Sequence, residues 1–440
     1  MYRPLKRRAL AMAVAPVALF LSVNAAAAPT AVTDWAGFIE SITATAPLLV
    51  DTNNDGIIDA SLPGGPPVRA RLNAMTHVAI HDALNSIQRR YASYSVIPGA
   101  GATASPQAAI AAAAYNVLAA EVPSKQVDIS NKYLAALAPL GDCVTVGTPC
   151  SQGIKAGQTA AKAILATRNN DGSRKPHPQY AAPNVPGAYQ PTPGANGLPI
   201  APAFEQWGKV RPFALVSNTQ FRPAPAGFLY VTSEDYVREY NEVKRVGAKN
   251  APLAVRSAYD TETVMFWAGS APAWSTFARK IVEADGSTDL WAQARLFALL
   301  NMALSDAGVA VFDAKYHYRY WRPITAIRRA NDGNPITQQD ATWDSLLVNP
   351  AYPDYTSGAS INAGAAAEVL RRYYARDNLA FSHTANNVTR SFGSVSAAAA
   401  SVANSRVLGG IHFRSACKIG LIQGEQIGRF VYLHYLKPLR

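Results

Sequence analysis

Residues 287–310 read STDLWAQARLFALLNMALSDAGVA, and this stretch decides the fold class. Its first three residues offer a helix cap. An apolar stripe at i, i+3, i+4 and i+7 spacing follows and consists of Leu296, Leu299, Leu300, Ala303, Leu304, Ala307 and Ala310. Helical spacing recurs over residues 68–94, 106–140, 152–168, 362–374 and 388–430. Strand-like alternation is scarce, so we predict an all-α fold of packed helical bundles.

The composition is that of a globular protein with a large core. Hydrophobic residues make up 49% of the 440 residues and charged residues 16%, which excludes a disordered or fibrous chain. Lys plus Arg number 41 and Asp plus Glu number 29, which gives a net charge of +12. No run of five or six basic residues occurs, and we therefore expect no nucleic-acid partner.

The N-terminus has the pattern of a cleavable export signal. Four cationic residues between Arg3 and Arg8 precede an apolar stretch over residues 9–23, and small residues follow over 25–28. This stretch is shorter than the roughly 20 apolar residues of a membrane span. We predict a signal peptide over residues 1–28 and an exported mature protein, periplasmic or secreted. We expect no later segment to be apolar enough to span a membrane.

The mature chain divides at a proline-rich segment. Nine prolines fall between Pro176 and Pro212, and such a segment cannot form a regular helix. We predict an N-terminal helical half over residues 29–175, a proline-rich connection over 176–228 and a C-terminal helical half over 229–440. The connection is expected to lie over the surface or over the mouth of a pocket.

One segment resembles a calcium-binding loop. Asp51, Asn53, Asp55 and Asp59 occupy positions 1, 3, 5 and 9 of such a loop, with a glycine at position 6. Position 12, where a bidentate carboxylate would complete the site, is Leu62. The sequence leaves open a weak calcium site and a plain polar turn rich in Asx residues.

Cysteines and a histidine pair offer two further interpretations. Cys143 and Cys150 lie in one loop, and an oxidising compartment would favour a disulfide between them, leaving Cys417 unpaired. His77 and His81 have the i, i+4 spacing of a zinc pair, but no third ligand is evident. We expect these histidines to be structural.

Three segments place cationic or small polar groups beside helix-forming sequence: residues 315–323, 355–360 and 405–412. In the first, Lys315 and Arg322 are separated by two helical turns. A continuous helix would put them on one face, about 10 Å apart along the axis, with room for a small anion between them.

The other two segments supply complementary groups. Ser357 and Gly358 precede an apolar helix and would offer a hydroxyl and backbone N–H groups where the helix dipole favours negative charge. Arg406 adds a planar fork of donors, and His412 adds an imidazole. These residues together predict a site for a compact tetrahedral oxyanion.

The three segments resemble the fingerprint of the vanadium-dependent haloperoxidases and the type 2 phosphatidic acid phosphatase superfamily, which is K-x6-RP, then P-S-G-H, then S-R-x5-H. Residues 72–85, 153–172 and 313–324 resemble the exported bacterial haloperoxidase-like branch. The resemblance implies two packed four-helix bundles and a vanadate cofactor. It also implies hydrogen peroxide, a halide and a small organic acceptor as reaction partners.

The resemblance also implies a role for each residue. His412 would be the axial vanadium ligand or, in a phosphatase, the nucleophile. The residues that would neutralise or hydrogen-bond the oxyanion are Lys315, Arg322, Arg406, Ser357 and Gly358.

This chain departs from the family pattern at one position, where Ala359 replaces the histidine that follows Ser-Gly. Alanine carries no titratable proton, and loss of a general acid typically removes about 10²- to 10⁴-fold in rate. Ester hydrolysis depends on that acid more than halide oxidation does. We therefore favour a haloperoxidase acting on bromide or iodide. The alternatives are an exported acid phosphatase and a catalytically impaired protein that binds vanadate or phosphate.

Overall fold

The structure, a computed structural model, describes residues 29–268 and 274–439. The predicted signal peptide lies outside these residues. Within them, the α-helices are α1 (Ala31–Thr43), α2 (Pro66–Ile87), α3 (Pro106–Glu121), α4 (Gln126–Leu137), α5 (Pro149–Arg168), α6 (Glu234–Val246), α7 (Ala258–Phe266), α8 (Trp274–Asp285), α9 (Leu290–Tyr318), α10 (Pro323–Arg328), α11 (Gly358–Tyr374), α12 (Val395–Leu408) and α13 (Arg414–His434). Two antiparallel hairpins pair β1 (Leu48–Val50) with β2 (Ala60–Leu62), and β3 (Phe381–Ala385) with β4 (Val388–Phe392). The prediction of an all-α fold is confirmed.

The long helix α9 is the centre of the fold. Asp289 caps it by accepting hydrogen bonds from the N–H groups of Trp291 and Ala292 at 3.0 and 3.2 Å, as the sequence predicted. Contrary to our expectation, α9 is long and apolar enough to cross a membrane. However, 94% of its most apolar window is buried inside the protein, as in the core helix of a globular domain.

Two groups of helices pack on α9. In the first group, α2 packs against α9 and also contacts α3 and α5. In the second group, α11 packs against α9 and also contacts α12 and α13. Glycines allow the closest approaches. A Cβ at Gly157 in α5 would clash with the backbone of α3, and one at Gly424 in α13 would clash with the backbone of α11.

The structure corrects two predictions about helix extent. Lys315 and Arg322 do not share a helix, because α9 ends at Tyr318 and Arg319 adopts a left-handed conformation with φ 47°. Residues 388–392, predicted to be helical, form β4 instead; threonine and large apolar side chains there favour a pleated strand over a helix.

The proline-rich connection contains no α-helix, as predicted, and its one longer helical turn is the 3-10 segment Glu205–Lys209. Part of the connection lies against the C-terminal end of α9. There the Tyr189 N–H donates to the carbonyl oxygen of Arg319 at 2.8 Å. The connection therefore reaches the start of the segment that carries Arg322.

The expected disulfide between Cys143 and Cys150 is present, and Cys417 is a buried free cysteine. The loop around Asp51 uses its carboxylates internally. Asp51 accepts hydrogen bonds from the backbone N–H groups of Asp55 and Gly56, at 3.1 and 2.7 Å. Nowhere in residues 29–268 and 274–439 do three or more His, Cys, Asp or Glu side chains gather in a way that could hold a metal ion. Calcium binding stays a prediction.

Candidate oxyanion site

Lys315 lies in the last turn of α9 with a fully buried side chain. Its ammonium donates hydrogen bonds to the carbonyl oxygens of Pro353 and Asp354, at 2.7 and 2.9 Å. Burial, followed by the positive charge of Arg322, lowers the pKa of Lys315 well below its usual value. A bound anion would oppose both effects, because it would favour the charged ammonium.

Arg322 caps the short helix α10 and is also fully buried. Its Nε donates to the carbonyl oxygen of Tyr352 at 2.9 Å, and its Nη1 donates to the carbonyl oxygen of Ile411 at 2.6 Å. Nη1 also lies 3.1 Å from Nε2 of His412. Nη2 is buried without a hydrogen-bond partner among the described residues. An unused donor on a buried cation leaves room for an anionic acceptor.

Ser357 and Gly358 form the start of α11. Ser357 is the N-cap, and its hydroxyl accepts a hydrogen bond from the Ser360 hydroxyl at 3.0 Å. A Cβ at Gly358 would meet nothing within 4 Å, so space is open beside this backbone. The free N–H groups of the first turn and the helix dipole make this a favourable position for negative charge.

Arg406 reaches the site from the last turn of α12. Its Nη2 donates to the carbonyl oxygen of Trp267 at 2.8 Å and to the Ser405 hydroxyl at 3.0 Å. Burial lowers the pKa of Arg406 to about 10, which still leaves the guanidinium charged at neutral pH.

His412 follows α12 and is almost fully buried, with 3% of its surface exposed. Its Nδ1 lies 2.7 Å from Oδ1 of Asp354. Burial, together with the positive charges of Arg322, Lys315 and Arg406, lowers the pKa of His412 well below its usual value. The imidazole is therefore neutral, which is the form that binds metal ions.

The charges of the site do not balance. Three buried cationic side chains surround His412, whereas Asp354 is the carboxylate among them. Burial raises the pKa of Asp354 to about 7, so part of its negative charge is lost at neutral pH. Buried charges are stable when they are paired. The surplus of positive charge and the unpartnered Nη2 of Arg322 therefore fit a bound oxyanion such as vanadate or phosphate.

The structure adds two residues that sequence reasoning missed. Asp354 contacts His412, and the ring of Tyr352 lies under two cations, with its centroid 5.2 Å from Lys315 Nζ and 5.3 Å from Arg322 Cζ. Both precede Ser357 closely in the sequence. Their position just before Ser357 was the sequence signal that could have identified them as site residues.

Ala359 is partly buried and packs against the main hydrophobic core. It lies in the first turn of α11, next to Gly358. The six predicted oxyanion-site residues and Ala359 thus come from three separate parts of the C-terminal half. Hydrogen bonds from Lys315 and Arg322 to the carbonyl oxygens of residues 352–354 bring the first two parts together.

The histidine pair of α2 is structural. His77 is fully buried and stacks on Phe297 with ring centroids 5.2 Å apart. His81 contacts Asp82 at 3.1 Å and Asn85 at 3.0 Å through its two ring nitrogens. These partners occupy both nitrogens of His81, which argues against a shared metal ion.

Comparison with known proteins shows which proteins this chain is similar to. A family model described as the VCPO second helical-bundle domain matches residues 295–440. The vanadium chloroperoxidase of Curvularia inaequalis is 26% identical over 383 residues, which cover 70% of this chain. The match spans 61% of the length of that relative.

Solved structures establish the fold over nearly the whole chain. A bacterial vanadium-dependent iodoperoxidase has a TM-score of 0.77 at 24% identity, covering 94% of this chain and 100% of that one. A bacterial vanadium-dependent chloroperoxidase has a TM-score of 0.68 at 19% identity, covering 88% and 97%. The matched family domain contains all six predicted oxyanion-site residues. The chain is thus similar to vanadium haloperoxidases in the sequence of its C-terminal domain and in its fold.

Proposed function

We propose that this protein is a vanadate-dependent haloperoxidase that oxidises a halide with hydrogen peroxide. In the net reaction, halide, hydrogen peroxide and a proton give hypohalous acid and water. The halide loses two electrons and the peroxide gains them. The hypohalous acid then halogenates a small organic acceptor. The observation that carries the proposal is the buried surplus of positive charge around His412, with the unpartnered Nη2 of Arg322 on the guanidinium that contacts it.

The residues of the site suit vanadate in number and chemistry. His412 would bind the metal through Nε2, because Asp354 lies against Nδ1. When bound, vanadate supplies a Lewis acid that activates peroxide without changing its own oxidation state. The side chains and backbone groups that would hold its oxygens are Lys315, Arg322, Arg406, Ser357 and Gly358.

The protein contributes fixed charge more than proton transfer. Lys315, Arg322 and Arg406 are buried, so their attraction for an oxyanion is stronger than it would be in water. Ala359 can neither hold nor move a proton. The residue at position 359 therefore does not supply the proton that the reaction consumes, and the softer halides, iodide and bromide, need the least assistance.

The test is peroxide-driven oxidation of iodide, bromide and chloride by the purified protein, with and without added vanadate. We expect activity that depends on vanadate, with iodide and bromide faster than chloride. Absence of vanadate-dependent activity with every halide would contradict the proposal.

A second candidate is an acid phosphatase that uses the same oxyanion site to bind phosphate. The contact between Asp354 and His412 favours it, because a carboxylate at Nδ1 would orient Nε2 as a nucleophile. The missing acid at Ala359 weighs against it. A phosphohistidine trapped at position 412 would support this function. Ester hydrolysis no faster than that of an Arg406→Ala variant would exclude it.

We also propose that the protein works in an oxidising compartment after export. The disulfide between Cys143 and Cys150 supports this, since disulfides persist mainly outside the cytosol. Fractionation of the producing cells, with detection of the mature protein outside the cytoplasm, tests it.

A further inference from the structure

The guanidinium of Arg406 uses only part of its donor set inside the protein. Its Nε donates to the Ser405 hydroxyl at 3.1 Å, and its Nη2 donates to the carbonyl oxygen of Trp267 at 2.8 Å. Nη1 makes no hydrogen bond with a residue that the structure describes. Two of the three nitrogens are thus fixed, and Nη1 is left for an anion.

Backbone contacts place the end of α12 beside the oxyanion site. The carbonyl oxygen of Arg406 accepts from the N–H of Ile411 at 3.2 Å, and the carbonyl oxygen of Ile411 accepts from Nη1 of Arg322 at 2.6 Å. Ile411 directly precedes His412. Because Ser405 belongs to the same helix as Arg406, the Trp267 carbonyl is the contact that ties the guanidinium to another part of the fold.

Trp267 is itself held from two sides. It follows α7, and 1% of its surface is exposed. Its indole Nε1 donates to the Ser401 hydroxyl of α12 at 3.0 Å. The indole ring also lies against the β3–β4 hairpin, with its centroid 5.8 Å from that of Phe392. The position of the Trp267 carbonyl therefore depends on both α12 and the hairpin.

The tip of the hairpin holds the backbone around Trp267. The side-chain amide of Asn386 donates to the carbonyl oxygens of Met265 and Ala268, at 2.8 and 3.2 Å. These two residues lie on either side of Trp267 in the chain. Asn386 and Asn387 form the exposed turn of the hairpin with left-handed φ values of 49° and 61°. One exposed side chain thus fixes the segment whose carbonyl binds Arg406.

We propose that Trp267 and Asn386 are positioning residues for Arg406. The hairpin holds the end of α7, and the Trp267 carbonyl then holds the guanidinium in its binding orientation before an anion arrives. A group that is fixed in advance loses less conformational freedom on binding, so affinity is higher. The inference rests on the proposed function only in taking Arg406 as a ligand of the bound anion.

The test compares Asn386→Gly with a matched control, Asn387→Gly. Glycine adopts the left-handed conformation at either position, so the turn is kept. Each substitution is made in the wild type and in an Arg406→Ala background. Binding of orthovanadate and of inorganic phosphate is measured by calorimetry, and thermal unfolding checks that each variant is folded.

For Asn386→Gly we expect vanadate affinity to fall about threefold to tenfold, the range that corresponds to the net contribution of one hydrogen bond. Asn387→Gly should bind as the wild type does. In the Arg406→Ala background, Asn386→Gly should cause no further loss, because there is no guanidinium to position. A merely structural role of the hairpin would instead lower affinity equally in both backgrounds.

The outcomes separate this inference from the proposed function. If the wild type binds vanadate and Asn386→Gly binds it equally well, or loses affinity equally in both backgrounds, the positioning role is wrong while the vanadate site stands. If the wild type binds only phosphate and the loss requires Arg406, the positioning role is supported and the vanadate assignment fails. If the wild type binds neither anion, the inference is overturned together with the site.

Discussion

The Nδ1 atom of His412 lies 2.7 Å from Oδ1 of Asp354, and both side chains are buried within a group of three cations. The carboxylate is on the segment before α11, whereas the imidazole follows α12. This contact ties two of the predicted site segments together. The other imidazole nitrogen, Nε2, lies 3.1 Å from Nη1 of Arg322, and a ligand that binds Nε2 must displace this contact.

Removing the carboxylate should weaken anion binding through His412. For Asp354→Ala we expect vanadate affinity to fall about tenfold or more, as for other residues that orient a metal-bound histidine. Asp354→Asn should stay close to wild type, because its amide oxygen can keep the contact with Nδ1. Calorimetric titration with vanadate measures both. Equal affinities for Asp354→Ala and wild type would show that the contact does not orient the imidazole.

Restoring the family residue at position 359 should increase turnover. The start of α11 already fixes the backbone of Ser357 and Gly358, so Ala359→His would place an imidazole next to the oxyanion site. We expect halide oxidation or ester hydrolysis, or both, to rise about tenfold or more, because general acid/base groups contribute about 10²-fold at least. Ala359→Leu is the control for side-chain size without a proton. If the histidine variant binds vanadate as before and neither activity rises, the site has diverged at more than one residue.

Arg406 should contribute to binding more than to stability. For Arg406→Ala we expect vanadate affinity to fall about 10- to 100-fold, since a hydrogen bond to a charged group contributes about 1.5–3 kcal/mol. The ligand-free protein should lose little stability, because a buried cation in a positive environment has been removed.

The control for Arg406 is Arg256→Ala. Arg256 is also buried, but it donates to the carbonyl oxygens of Val246 and Ala248 at 2.9 and 2.6 Å. Its loss should lower the melting temperature and leave vanadate affinity unchanged. A fall in stability for Arg406→Ala as large as for Arg256→Ala would assign Arg406 to the fold.

His77 should make the protein sensitive to acid. Burial lowers its pKa to about 3, from 6.5, and neither ring nitrogen has a partner among the described residues. The unfolded chain therefore binds a proton between these two values and the native state does not. Stability contributed by the neutral imidazole is complete above pH 6.5 and is lost as the pH falls towards 3.

The substitution His77→Phe tests this assignment, because it keeps the stacking position on Phe297 and removes the titrating group. Unfolding followed by circular dichroism should show a lower pH of acid denaturation than in wild type. An unchanged acid midpoint would mean that other groups dominate.

The sequence predicted those features that depend on short stretches of chain. The cap at Asp289, the apolar face of α9 and the start of a helix next to Ser357 are local signals, and each is confirmed. The path between Lys315 and Arg322 was predicted wrongly as one helix. The left-handed turn at Arg319 is held by tertiary contacts, including its carbonyl bond to Tyr189, which no local pattern reveals.

The sequence predicted only those site residues that lie within the three motif segments. Asp354 has no motif of its own, and it is defined by its contact with a residue distant in sequence, His412. Such contacts depend on the packing of the whole C-terminal half.

Vanadate dependence is tested most directly by reconstituting the purified protein with increasing vanadate and following iodide oxidation by peroxide at each addition. We predict that activity rises in proportion to bound vanadate, reaches its maximum at one vanadate per chain and falls when excess phosphate competes for the same site. An iodide oxidation rate that stays at the vanadate-free level while vanadate occupies the site would contradict it.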